Sequence, residues 1–175
     1  MSPSLEDQLV LYVRTHAEDG ILLDTNVLLL LLIAQFDPAL IGRERLRAYE
    51  QRDADLLNRF VSSFRRILTT SHVLAETSNF ARQMVKGRRQ AQFFEWLHPI
   101  FCSEGSRALT QTTVAGTEID ARLFVRMGLT DSGLAASAAT RRLLLTADLD
   151  LHVATVSQGG HSINFTHMRE AAGFL

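Results

Sequence analysis

Ile21-Leu22-Leu23-Asp24-Thr25-Asn26-Val27 is the stretch on which the reading of this chain turns. An apolar run delivers one carboxylate, two small polar residues follow, and a second apolar run, Val27 to Ala34, begins at once. Three apolar residues are too few for a helix, so Ile21 to Leu23 reads as a buried strand. Asp24 then stands at the strand's carboxyl end, and Thr25 or Asn26 can cap a helix from Val27 to Phe36. That helix is apolar all round and belongs in a core. An acid at such a joint is unfavourable unless something compensates it.

Working outward, the same grammar recurs. Before the strand, Ser4 and Asp7 form a capping-box pattern for a helix over 5–17, and Asp19-Gly20 is a turn signal. After it, Asp37-Pro38 stops the apolar helix. Spacing of Tyr49, Leu56, Phe60 and Phe64 predicts one long helix from Gly42 to Phe64, its apolar face interrupted at Asp53. Ile67 to Thr70 is a short strand, and Ser71 is placed to cap a helix over 72–85, with Glu76 on the border of its buried stripe. A helix carrying Phe93, Phe94, Leu97 and Phe101 should kink or end at Pro99. The stretch 103–116 reads poorly; Thr110 to Val114 fits either a strand or an extended loop. Thr117 to Met127 is expected as a helix with Ile119, Leu123, Phe124 and Met127 inward, ended by Gly128. Thr130 or Asp131 caps the alanine-rich helix that follows. Leu143 to Thr146 is another strand, 149–157 a short helix, and His161 to Phe165 a last strand.

Strands alternating with helices imply a parallel sheet covered on both faces. Ligands of such sheets bind at the carboxyl ends of the strands. Asp24 and Asp148 both fall at expected strand ends, which puts them on one functional edge.

The chain has 175 residues, of which 46% are hydrophobic and 21% charged, enough for one domain with a sizeable core. The expected organisation is a single domain over 1–175, with a helical extension at 1–19 and a core at 20–166. Net charge is −1, so any nucleic-acid surface must be local. A single cysteine, Cys102, excludes an internal disulfide and a cysteine-built zinc cluster. The acid-containing N-terminus does not read as a secretory signal, and the most apolar stretch is too short for a membrane span. A cytoplasmic protein without membrane partners is the expectation.

Four acids, Asp24, Glu76, Asp131 and Asp148, stand at comparable joints. Mg²⁺ or Mn²⁺ takes hard oxygen ligands and keeps several waters, so three or four carboxylates suit either ion. Two such ions can activate water and stabilise the leaving oxygen of a phosphodiester. His72 and Glu76 also have zinc spacing, but no further histidine motif joins them. Arg82, Lys86, Arg88 and Arg89 form the densest basic patch and could contact RNA phosphates or simply face solvent.

The four acidic segments together resemble the PIN-domain ribonucleases. Ile21-Leu22-Leu23-Asp24-Thr25-Asn26-Val27 is similar to that family's opening motif, and Thr69-Thr70-Ser71-His72-Val73-Leu74-Ala75-Glu76 to its second. Gly128-Leu129-Thr130-Asp131-Ser132-Gly133-Leu134-Ala135-Ala136 resembles the third, and Leu143-Leu144-Leu145-Thr146-Ala147-Asp148 the fourth. The resemblance implies a three-layer α/β/α Rossmann-like fold with a central parallel sheet and Mg²⁺- or Mn²⁺-dependent endonucleolytic cleavage of RNA. It implies metal binding and catalysis by Asp24, Glu76, Asp131 and Asp148. It implies hydrogen-bond support from Asn26 and Thr146. Asp150 is one acid too many and reads as solvated or as standing behind the ligands. It further implies a protein partner, a second copy or an inhibitor such as an antitoxin. The chain is longer than the compact toxins of toxin–antitoxin pairs, and Ser132-Gly133 departs from the usual third motif; both weaken a toxin assignment. The alternative is a PIN-like RNA- or protein-binding regulatory module with little or no catalysis. An aspartyl-phosphate phosphatase is disfavoured because Asn26 stands where its second aspartate belongs. RNA target and cleavage sequence are not legible.

Overall fold

A computed structural model describes residues 4–102 and 109–175. Helix α1 (Leu5–His16) precedes strand β1 (Ile21–Leu23) and helix α2 (Thr25–Phe36). Then come α3 (Gln51–Val61), β2 (Ile67–Thr69), α4 (Ser71–Met84) and α5 (Arg88–Cys102). The chain continues through β3 (Leu109–Gln111), α6 (Ala121–Ala139), β4 (Leu143–Thr146), α7 (Leu149–Ser157), β5 (His161–Asn164) and α8 (Phe165–Ala171).

The five strands form one sheet in the order β3-β2-β1-β4-β5, every pair parallel, with helices against it in an α/β/α Rossmann-like arrangement. The central strand is β1, and Ile21, Leu22 and Leu23 are wholly buried. Apolar on both faces is what a fully covered parallel strand needs. Its register sets Leu22 beside Leu68 and Leu144. Helix α2 buries Val27 through Ile33 without a break. At ~1.5–3 kcal/mol per large apolar side chain, this helix and β1 dominate the core. Gly20 makes the entry to β1 possible: its φ is +99°, and a Cβ there would lie 2.6 Å from Arg66 Cγ and 2.7 Å from the Arg66 carbonyl.

Several boundaries depart from the sequence reading. No long helix covers 42–64. Two short 3₁₀ turns, Pro38–Leu40 and Glu44–Leu46, precede α3, because Gly42 (φ +83°) and Glu44 (φ 45°) turn the chain. Asp53 then starts α3 by accepting the Glu50 N–H at 2.7 Å. Asp53 is no flaw in an apolar face: it is 1% exposed and holds Arg169 of α8 through bonds of 2.8 and 3.1 Å. Thr70, rather than Ser71, caps α4. Helix α5 passes through Pro99, which is exposed and lies within its last turn. Asp120 starts α6 by accepting from Arg122 and Leu123 N–H, so the helix begins four residues later than expected. Gly128, at φ 80° and ψ −178°, is non-helical and divides α6 into two helical segments, where the sequence reading expected one helix to end and the next to begin. Phe124 faces outward, 47% exposed. Helix α8 has no counterpart in the sequence reading; Asn164 caps it by accepting from Thr166 and His167 N–H. Residues 103–108 of the poorly legible stretch, and 1–3 of the N-terminal extension, lie outside the described residues. Among the described residues no helix is long and apolar enough to cross a membrane.

Candidate active site

Strand order makes a site at the carboxyl end of β1. The chain leaves β1 toward β2 on one side and returns to β4 on the other, and this reversal opens a crevice between the ends of β1 and β4. Asp24 occupies it. Its peptide N–H continues the ladder to the Leu145 carbonyl at 3.1 Å. Its carboxylate turns back as the N-cap of α2, Oδ1 accepting from Val27 N–H at 2.7 Å. Oδ2 accepts from Ala147 N–H at 2.9 Å and from the Thr146 hydroxyl. The apolar strand therefore ends in an acid because the helix beyond it needs a cap. Thr25 and Asn26, the residues expected to cap, lie inside the helix.

Thr146 ties two acids together. Its hydroxyl donates to Asp24 and accepts the Asp148 N–H at 2.9 Å. Asp148, exposed at the end of β4, repeats the local design of Asp24 and caps α7 through Leu151 N–H at 3.0 Å. Glu76 approaches from α4, half-buried, with Oε2 accepting the Thr25 hydroxyl at 2.8 Å. Asp131 comes from α6 three residues beyond the Gly128 kink, where Ser132 donates to the Gly128 carbonyl at 2.6 Å and fixes the turn.

Electrostatics shows that the four acids share one field. The half-buried Asp131 carboxyl is pushed up to about 6, first by burial and then by the charges of Asp148, Asp24 and Glu76. Burial also raises Asp24, outweighing its three hydrogen bonds, and Asp148 adds to the rise. Among the described residues no arginine or lysine pairs with any of the four. Equally, among the described residues no three His, Cys, Asp or Glu side chains already surround a common point as metal ligands. Two cavities, of about 410 and 300 Å³, are lined by other residues.

No protein-family model, curated protein or solved structure matches this chain.

The donor set nonetheless suits a hard divalent cation: it is all oxygen and lacks a balancing positive charge. A carboxylate has about four lone-pair directions, so Asp24, accepting three hydrogen bonds, has one left for a ligand. Asp148 Oδ2, Glu76 Oε1 and both Asp131 oxygens make no hydrogen bond among the described residues.

The supporting residues divide differently from expectation. Thr146 bonds Asp24, as the resemblance implied. Asn26 is exposed and makes no such bond, and Thr25, buried at 6% exposure, serves Glu76 instead. The fault lies in phase: with Asp24 as the cap, the first helical residue faces α4 and the second faces water. Asp150 is exposed and, among the described residues, bonds no member of the site. His72 is exposed, and no third ligand joins it and Glu76 among the described residues. The basic patch lies toward the far end of α4, ~12 Å along its axis from Glu76. There Arg82 stacks over Phe94 at 4.4 Å and Arg89 pairs with Asp37 at 2.6 Å, while Lys86 and Arg88 are exposed.

Sequence reading missed Tyr49. Its hydroxyl is pushed up to about 12 by burial and then by the charge of Asp24. Its ring lies 6.2 Å from Phe165 and beneath the Arg169 guanidinium at 5.0 Å. A tyrosine read as core on a helix that does not form gave no signal of this.

Proposed function

We propose that the chain is a Mg²⁺- or Mn²⁺-dependent endoribonuclease whose centre is Asp24, Glu76, Asp131 and Asp148. One observation carries the reading: the Asp131 carboxyl is raised to about 6 by burial and three other acids, with no arginine or lysine beside them among the described residues. A fold that gathers uncompensated carboxylates at its ligand-binding edge is destabilised there, and a divalent cation relieves that repulsion. When bound, the ion would supply a Lewis acid that lowers the pKa of water and neutralises charge building on the phosphate.

The protein's own groups set the geometry. Asp24, held by three donors, cannot rotate and offers one lone pair in a fixed direction. Thr146 locks that carboxylate to the Asp148 backbone, so the ends of β1 and β4 keep one spacing. Thr25 orients Glu76 and leaves its second oxygen for a ligand. Asp131 is the least restrained of the four, and its charge, disfavoured by burial and by the other three acids, is the one a cation would relieve. The hydrolytic reading needs no side-chain nucleophile. RNA as the substrate rests on the resemblance of the four acidic segments to the PIN-domain ribonucleases.

A binding module without catalysis is favoured by a different observation: capping alone accounts for the places of Asp24 and Asp148. A fluorophore–quencher RNA oligonucleotide with Mn²⁺ separates the two. The nuclease reading expects cleavage abolished by chelator and reduced at least ~100-fold in Asp24→Asn and Asp131→Asn. RNA binding without cleavage by the parent, or cleavage indifferent to Asp131→Asn, would overturn it.

A further inference from the structure

The segment between α2 and α3 does more than connect them. Its second 3₁₀ turn, Glu44–Leu46, packs against α2 and α4, the two helices that carry Asp24 and Glu76 at or near their starts. From that turn Arg45 lays its guanidinium over the Phe80 ring, 3.4 Å from the centroid. Phe80 follows Glu76 by four residues, one turn along the same face of α4, so their Cβ atoms are ~6 Å apart. Long helical side chains lean toward the helix N-terminus, which tilts the Phe80 ring under Arg45 toward the Glu76 turn.

The geometry points to Arg45 as the residue that seats a substrate phosphate beside the acidic centre, a placement resting on the hydrolytic reading above. A site of four carboxylates repels a polyanion and needs a cation at its edge to hold the strand. Arg45 is exposed and, among the described residues, makes no ion pair or side-chain hydrogen bond. Stacking occupies the guanidinium's face and leaves its in-plane N–H donors free, the edge that binds phosphate in a two-point fork. The ring also restricts the long side chain before substrate arrives, so less freedom is lost on binding. Arg89 pairs with Asp37 and Arg169 is buried against Asp53, while Arg43 and Arg47 on the same segment are exposed and, among the described residues, have no aromatic ring beneath them.

The test is fluorescence anisotropy of a labelled single-stranded RNA of about 20 nucleotides in EDTA, where nothing is cut, across a salt series. Arg45→Ala is expected to weaken binding ~5–10-fold at low salt and to lower the log–log salt slope by about 1, the loss of one phosphate contact. Arg45→Lys should keep the slope with intermediate affinity. Arg65→Ala, whose parent residue pairs with Glu18 at 3.1 Å, should change neither. Thermal unfolding of each variant identifies any loss of fold, and Arg45→Lys still reports if Arg45→Ala is unstable. Unchanged affinity and slope in Arg45→Ala, with the parent binding normally, would overturn the placement of Arg45 and leave the acidic centre standing. A folded parent that binds no RNA, both in EDTA and with Ca²⁺ supplied to neutralise the acids, would overturn the ribonuclease reading beneath it as well.

Discussion

Asp131→Asn should make the metal-free protein more stable, and only at pH values where Asp131 is charged. Its carboxyl sits at about 6 instead of its ordinary 3.8, through burial and three neighbouring acids. At 1.36 kcal/mol per pKa unit the rise corresponds to ~3 kcal/mol, and screening of a half-exposed group reduces it to ~1 kcal/mol. The sign follows from linkage. A carboxyl raised on folding favours the folded state fully below pH 3.8, and that contribution is lost as pH rises through about 6. Above that, the parent carries an unrelieved charge that asparagine lacks. For a chain of this size ~1 kcal/mol is a Tm gain of ~2–4 °C. Scanning calorimetry in EDTA at pH 4, 6 and 8 is the assay. The gain of Asp131→Asn over parent should be near zero at pH 4 and largest at pH 8. Excess Mn²⁺ should stabilise the parent and not the variant. A variant less stable than parent at pH 8, or a gain independent of pH, would refute the idea that Asp131 is destabilised by its acidic neighbours.

Thr146→Val removes the donor to Asp24 Oδ2 and strands the Asp148 N–H. Urea unfolding should show a loss of ~1–3 kcal/mol, and Thr146→Ser should recover most of it. Arg169→Met leaves Asp53 charged at 1% exposure and should destabilise by ~3–5 kcal/mol in the same assay, with Asp53→Leu/Arg169→Met milder than that single change. His16, 2% exposed, meets His161 at 2.7 Å, and burial followed by His161's charge lowers its pKa against the opposing pull of Asp19. A depressed histidine contributes stability above pH 6.5 and loses it progressively as pH falls from there through its lowered folded-state pKa. The urea midpoint of the parent should therefore drop more between pH 7.5 and 5 than that of His16→Gln.

Legibility followed the length and chemistry of each element. Strand β1 and helix α2 could be read because a covered parallel sheet and a buried helix admit only apolar residues, and Ile21 to Ala34 offers little else. The positions of Asp24 and Asp148 could be read because a carboxylate closing an apolar run is unfavourable unless a cap or a ligand compensates it. What failed was phase and tertiary rescue. Nothing local says that Asp24 itself caps α2, which moves support of the site from Asn26 to Thr25. Asp53 looked like a blemish on a helix because its partner, Arg169, is 116 residues away. The 42–64 segment has helical periodicity, yet Gly42 and Glu44 turn it, which sets Arg45 over Phe80 of α4 and Tyr49 within the field of Asp24. Pairings of that range have no local signature.

The central claim is that Asp24, Glu76, Asp131 and Asp148 close on one divalent centre. Crystals soaked in millimolar Mn²⁺ and measured for anomalous scattering test it directly. Convergence requires a peak ~2.1 Å from carboxylate oxygens of at least three of the four acids, with Asp24 giving a single oxygen. No peak, or a peak elsewhere on the molecule, would contradict it and leave the four carboxylates as helix caps and surface acids.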